Sequence, residues 1–222
     1  GGDTTLEQCL KETNEIGFSG IEAGGKFPKK SNELIPKLEK ENLKLCSGWY
    51  GANLLKNTVK EEILIMKEQL NLFKECNAPC MVVAEVSGSI QGEVKIPLSK
   101  RPILNNEEWK ILYNKVNEIS KYMEDSGVPL AYHHHMGTVV QSQEDTERLI
   151  DNTSDSVKLL IDTGHMMFAG GDFAKIAKDY SPRLHHVHCK DIRKEVLDIA
   201  LKDDLSFIDA FFAGAFTVPG DG

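Results

Sequence analysis

The chain carries seven histidines in 222 residues, and they fall in three groups. His133, His134 and His135 stand in "AYHHHMGT", His165 in "LLIDTGHMM", and His185, His186 and His188 in "LHHVHCKD". Each group closes a short apolar run. Imidazole titrates close to neutrality and in its neutral form is a common ligand of divalent metals. A single buried histidine is most simply a hydrogen-bonding group of the core. All seven confined to the ends of three neighbouring runs, with Asp162 among them, point instead to a shared site. Imidazole nitrogen beside carboxylate oxygen suits a divalent cation: Mn²⁺ or Co²⁺ first, with Fe²⁺, Mg²⁺ and Zn²⁺ also compatible.

The elements that would position these groups are legible as two alternating periods. Apolar, often β-branched runs at 17–23, 43–49, 80–86, 128–134, 157–163 and 184–190 read as strands. The first residues read as a loop leading into a helix. Thr58 and Glu61 have the spacing of a capping box opening a helix, with Ile63, Met66, Leu70 and Phe73 on one face. Asn105 or Asn106 caps a second, which places Trp109, Leu112, Val116, Ile119 and Met123 together and ends near Gly127. Shorter helices are expected around 32–41, 142–151 and 172–180. Strand–helix alternation implies parallel strands joined by right-handed crossovers.

No GxGxxG or GxxxxGK[ST] motif follows a strand, which removes the common nucleotide-binding signatures. Polar residues collect instead at several strand ends: Glu22, Glu85, His133 to His135, Asp162 with His165, and His186 with His188. Chemistry fed by many successive strand ends is the habit of a (β/α)8 TIM barrel. On this count the chain shows strands two to seven, with strand one before Gly1 and strand eight after Gly222. The expected organisation is one TIM-barrel domain over 1–222, incomplete at both ends. The loop 86–104 is expected to be a lid, and 191–222 an insertion after strand seven. A six-stranded open sheet is the alternative.

His133, Asp162 and His188 are 29 and 26 residues apart, about one strand-plus-helix unit each, so they are expected at equivalent heights on adjacent strands. Strand alternation puts His133 and His135 on one face and His134 on the other, and puts His186 with His188. Hydrophobic content of 41% and charged content of 27% are ordinary for a globular domain. A formal charge of −8 speaks against a nucleic-acid partner. No apolar run is long enough for a membrane span, and the start lacks the pattern of a signal peptide. Cys9, Cys46, Cys76, Cys80 and Cys189 are odd in number and contain no CxxC, which favours a reducing, cytoplasmic setting.

"GFSGIE", "AYHHHMGT", "LLIDTGHMMFAGGD", "HHVHCKDIR" and "FTVPGDG" together resemble the xylose-isomerase-like TIM-barrel superfamily. HHHMGT and FTVPGDG narrow the resemblance to its myo-inosose-2 dehydratase (2-keto-myo-inositol dehydratase) family. "AEVSGSIQGEVKIPLSKRP" and "DLSFIDAFFAGAFTVPGDG" resemble that family too, so the likeness spans nearly the whole chain. It implies a metal held by residues of strands five to eight, usually Glu, Asp, His and Glu. Asp162 and His188 match the second and third positions. His133 stands where the first Glu is usual, with His135 competing, and the fourth ligand would lie beyond Gly222.

The implied reaction is loss of water from 2-keto-myo-inositol, giving a trihydroxycyclohexane-1,2-dione. His165, three residues after Asp162, is the candidate base, returned over the substrate by a loop. His135, His186 and Lys190 are candidate proton donors to the leaving hydroxyl. Glu22, His186, Trp49 and Arg193 are candidates for binding the polyol ketone; Glu22 has a salt bridge to a neighbouring strand as its alternative, and Arg193 a pairing with Asp191. The apolar "FIDAFFAGAF" is expected to pack on the barrel or on another subunit of a homo-oligomer. The other readings are a metal-dependent sugar isomerase or epimerase of the same superfamily and a non-catalytic metal- and polyol-binding barrel. An endonuclease IV-like DNA repair enzyme is disfavoured by the charge.

Overall fold

The computed structural model describes residues 2–222. After helix α1 (Leu6–Glu15), the chain runs through β1 (Gly20–Ala23), α2 (Ser31–Lys40), β2 (Lys44–Ala52), α3 (Val59–Glu75) and β3 (Met81–Glu85). It continues through α4 (Asn106–Asp125), β4 (Leu130–His133), α5 (Gln143–Asp151), β5 (Lys158–Asp162), α6 (Thr163–Phe168), α7 (Phe173–Asp179) and β6 (Leu184–His188). Among the described residues these six strands form one sheet in sequential order, all parallel. The curvature is strong enough for Glu22 on β1 to reach His186 and His188 on β6. The architecture is that of a TIM barrel, with the helices on the outer face and the polar strand ends on the inner one.

Local chemistry explains the helix starts. Thr58 Oγ1 accepts from the Glu61 N–H at 3.3 Å, and Glu61 accepts in return from the Thr58 N–H at 2.8 Å. Asn105 and Glu108 make the same reciprocal pair ahead of α4. These boxes satisfy two backbone donors that a helix start otherwise leaves open. The strands sort their side chains by alternation. Leu130 and Tyr132, Leu159 and Ile161, and Met81 and Val83 enter the large core shared with the helices. Val82, Ala131 and Leu160 enter a small inner cluster with Cys80. Two residues on from Ala131 and Leu160 along the same face come His133 and Asp162, which is why polar groups cap an apolar barrel floor.

Three expectations change. Asp162 pairs with His188 across β5 and β6, but His133 is level with Leu160. The three residues are therefore not at one height; the stagger of barrel strands sets His133 one inward step lower. The segment after Asp162 is not a loop but α6, because the Asp162 side chain caps it by accepting from the His165 N–H at 3.0 Å. Strand β1 starts at Gly20 rather than 17, and β2 runs on to Ala52.

Two long segments complete the fold. Residues beyond β6 form a ribbon of β7 (Asp191–Ile192) and β8 (Phe216–Thr217) that encloses α8 (Lys194–Lys202) and α9 (Phe207–Phe212). The 86–104 segment is tied down beneath them: the Leu98 N–H donates to Leu205 O at 3.2 Å, the Lys95 N–H to Asp209 at 3.1 Å, and the Arg101 guanidinium pairs with Asp145 at 2.8 Å. No helix among the described residues is long and apolar enough to cross a membrane.

Gly48 marks the tightest joint between β1, β2 and α3. A Cβ there would lie 2.7 Å from Phe73 Cζ and 3.1 Å from the Ala23 carbonyl oxygen. Gly48→Ala should therefore cost about 1–3 kcal/mol through overpacking, read as a fall of several degrees in Tm; an unchanged Tm would disprove this account of the joint.

Candidate functional site

Asp162, at the end of β5, is the centre of the polar cluster and is fully buried. Its Oδ1 caps α6. Its Oδ2 lies 3.5 Å from His133 Nε2 and 3.4 Å from His188 Nδ1, and the Lys190 ammonium sits on the same oxygen. Its backbone N–H donates to His134 Nε2 at 3.2 Å. Burial alone would raise the Asp162 pKa; the hydrogen bonds from His133 and His188 instead hold it well below the usual carboxylate range.

The two imidazoles at Oδ2 are aimed by partners on their far sides. His133 Nδ1 donates to the His134 carbonyl, which turns Nε2 towards Asp162. His188 Nε2 bonds Glu22 at 2.9 Å, which leaves Nδ1 facing Asp162. Glu22 also takes a hydrogen bond from His186. Burial pushes the Glu22 carboxyl up, but the two histidines bring it down to about 2. An outer hydrogen bond that fixes a histidine's tautomer and orientation is the usual support of a metal ligand. Two aimed imidazoles and one carboxylate form a donor set that fits a divalent ion, and the Lys190 ammonium stands on the same carboxylate oxygen. His133, Asp162 and His165 also offer donor atoms within 4.8 Å of one another. His165 Nδ1 is taken by the Met136 N–H at 3.3 Å, so His188 completes the set better.

Above the cluster is a cavity of about 370 Å³. His133, His135, His165, His188 and Lys190 form its polar floor. Trp49 forms one wall, and Phe207, Ile208 and Phe211 of α9 with Phe216 of β8 form an apolar roof. The His135 and His165 rings lie 3.9 Å apart between centroids. Burial lowers the pKa of both, His135 to about 3 and His165 well below its ordinary value, so both are neutral near pH 7.

The structure thus gathers His133, His135, Trp49, His165, His188 and Lys190 around one cavity, with Asp162 buried behind His133 and His188. Glu22 and His186 are not among its lining residues. They stand behind His188, because β1 curls round to face β6 and the Glu22 carboxylate meets imidazoles before it meets the cavity. Arg193 is not brought there either. It is exposed and is held by Gly214 O, Thr217 and Asp221, while Asp191, its expected partner, accepts from the backbone of Ile192, Gly220 and Gly222. The 86–104 segment contributes no lining residue; α9 covers the floor instead. The aromatic roof went unassigned in the sequence because "FIDAFF" marks an apolar face without naming the surface it meets.

Residues 10–222 match the family model described as the xylose isomerase-like TIM barrel. The chain belongs to this family. Within it, the chain is 43% identical over 222 residues to the rhizopine catabolism protein MocC of Rhizobium meliloti, spanning 100% of this chain and 68% of that one. It is 41% identical over 224 residues to the inosose dehydratase of Bacillus thuringiensis (strain Al Hakam), spanning 100% of this chain and 75% of that one. Among solved structures, the probable 3-DHS dehydratase AsbF of Bacillus anthracis has TM-score 0.67 at 15% identity, covering 86% of this chain and 69% of its own. The IOLI protein, described with a bound zinc atom, has TM-score 0.66 at 17% identity with the same coverage. These two likenesses concern the fold.

A histidine buried behind the floor carries a pH signature. His134 is completely buried, its Nε2 accepts from Asp162, and its Nδ1 has no partner among the described residues. Burial, and then the charge of a protonated His133, lower its pKa from 6.5 to about 3. Between those values the unfolded chain binds a proton that the native ring refuses, so stability falls as pH drops from about 6.5 towards 3. His134→Gln keeps an acceptor for the Asp162 N–H but removes this titration. Its Tm should decline less steeply on acidification of the metal-free protein; an identical slope would refute the assignment.

Proposed function

We propose that the protein removes one water from 2-keto-myo-inositol, giving a trihydroxycyclohexane-1,2-dione, as a step of inositol catabolism in the cytoplasm. It is a carbon–oxygen lyase of the hydro-lyase kind, as its full-length likeness to inosose dehydratases supports. The observation that carries the mechanism is the convergence of His133 Nε2 and His188 Nδ1 on Asp162 Oδ2 at the floor of a roofed cavity. The five free cysteines are in keeping with a reducing compartment.

His133, Asp162 and His188 would hold the divalent ion, Mn²⁺ or Co²⁺ foremost. A bound ion there supplies Lewis-acid polarisation of the ketone oxygen. Lys190, seated on Asp162, brings further positive charge to the oxygen that gains electron density. The substrate's shape suits the walls. Oxidation at the carbon of myo-inositol that bears its axial hydroxyl leaves every remaining hydroxyl equatorial, so both ring faces present C–H bonds. Trp49 and Phe207 offer apolar surfaces to such faces. The hydrogen next to the ketone is then axial, aligned with the carbonyl π system. A base must stand over a ring face to take it. His135 and His165 are the neutral imidazoles that border the cavity in this way. Roofing by α9 keeps bulk water from the carbanion-like centre.

The test strips metal with a chelator, restores Mn²⁺ or Co²⁺, supplies 2-keto-myo-inositol, and follows dione absorbance with product mass. Metal-dependent loss of one water is expected. Metal binding with no water loss would overturn the reading in favour of an isomerase or a binding protein. Glu22→Gln should weaken metal affinity about 10–100-fold by releasing His188 from its outer partner, measured by calorimetric titration; unchanged affinity would remove Glu22 from the site's support.

A further inference from the structure

The two imidazoles over the cavity are held by opposite atoms of one residue. His135 Nδ1 lies 2.9 Å from the Met136 carbonyl oxygen. A carbonyl only accepts, so this nitrogen carries the hydrogen. The Met136 N–H points to His165 Nδ1 at 3.3 Å. A backbone N–H only donates, so this nitrogen carries the lone pair. A neutral imidazole has one donor and one acceptor nitrogen. Nε2 of His135 is therefore bare, and Nε2 of His165 carries a hydrogen.

The turn that presents Met136 is built to stay put. The Thr138 N–H donates to His135 O at 3.2 Å, and the Ile90 N–H to Gly137 O at 3.0 Å. Gly137 has φ +80°, and a Cβ there would lie 2.8 Å from the Gln91 backbone nitrogen, so the close approach of the 86–104 segment requires glycine. Phe207 packs against both rings, with centroids 5.1 Å from His135 and 5.4 Å from His165. The tautomers are thus set by the fold and not by a partner that comes and goes.

We propose that His135 Nε2 is the base that takes the α-proton of the substrate, and that His165, through its Nε2–H, is a hydrogen-bond donor to a substrate oxygen. This rests on the reading of the site as an inosose dehydratase, and it reverses the role expected of His165 from the Asp-Thr-Gly-His spacing. The C–H electron pair passes into an enolate as His135 becomes an imidazolium. The carbonyl then re-forms, a double bond forms between the α and β carbons, and the β C–O bond breaks with its pair leaving on oxygen. The proton taken up by His135 goes to that oxygen, so one water departs and the ring is neutral again. The α-hydroxy enone that remains is the enol of the dione. His165 gains and loses no proton; its donated hydrogen bond steadies the oxygen that carries charge.

The experiment uses the metal-loaded protein in deuterium oxide and measures deuterium entering the α position of recovered substrate alongside dione formation. His165→Gln keeps a donor and should still exchange the α-proton while dehydration falls roughly 10²-fold, as for loss of a preorganised donor. His135→Gln should lose exchange by about 10²–10⁴-fold, as for loss of a general base. Exchange surviving in His135→Gln, or lost in His165→Gln with metal content and circular dichroism intact, overturns the proposal. Nitrogen-15 NMR of the imidazoles in the metal-free wild type decides the tautomers without any substrate. A hydrogen on His135 Nδ1 and on His165 Nε2 is expected, and the opposite pair overturns the assignment. A wild type that dehydrates no inosose would overturn the functional reading, and the NMR result would still judge the tautomers.

Discussion

The site depends on one buried carboxylate. Taking a carboxylate out of water costs several kcal/mol unless its oxygens are matched by donors. Asp162 is matched on both: Oδ1 by the first turn of α6, Oδ2 by His133, His188 and Lys190. The matching is geometric as well as electrostatic. It starts a helix where strand β5 stops, sets His165 in the cavity floor, and draws the ends of β4 and β6 towards β5. An apolar residue in its place would leave a helix without its cap and two imidazoles without their common target.

Support for that carboxylate is layered. Glu22 lies on the first strand of the sheet and His188 on the last, yet they are in contact, so the curl of six parallel strands is itself part of the site. His134 acts from the other side, where its ring accepts the Asp162 N–H and ties β4 to β5 outside the regular ladder. The three consecutive histidines thus divide three tasks by strand alternation. His133 faces Asp162, His134 holds its backbone, and His135 turns to the cavity.

Most of the frame was legible because it is periodic. Six strands, the capping box of α3, a cap at the start of α4, and the inward column of His133, Asp162 and His188 follow from periods of two and of about 3.6 residues with flanking caps. What was not legible depends on distances in space. Nothing in the spacing of Glu22 says that it will meet a histidine 166 positions later. The rank of a strand in a staggered sheet, which lowers His133 by a step, is invisible in a count of residues. The roof was read as an apolar stretch without a destination, and Arg193 was placed at the site because its neighbours are. Tautomers lie further still from the sequence, since they depend on which atom of one peptide each ring meets.

Met136 joins two parts of the molecule that are otherwise packed separately. Its side chain lies in the small apolar cluster with Phe168, Ile192, Ala200, Ala210 and Ala215, under the roof helices, apart from the main core. Its peptide group holds the two cavity rings. The side chain is anchored among apolar neighbours while its peptide faces two polar rings, so the packing of this separate cluster fixes the place of the hydrogen-bonding group that both imidazoles share.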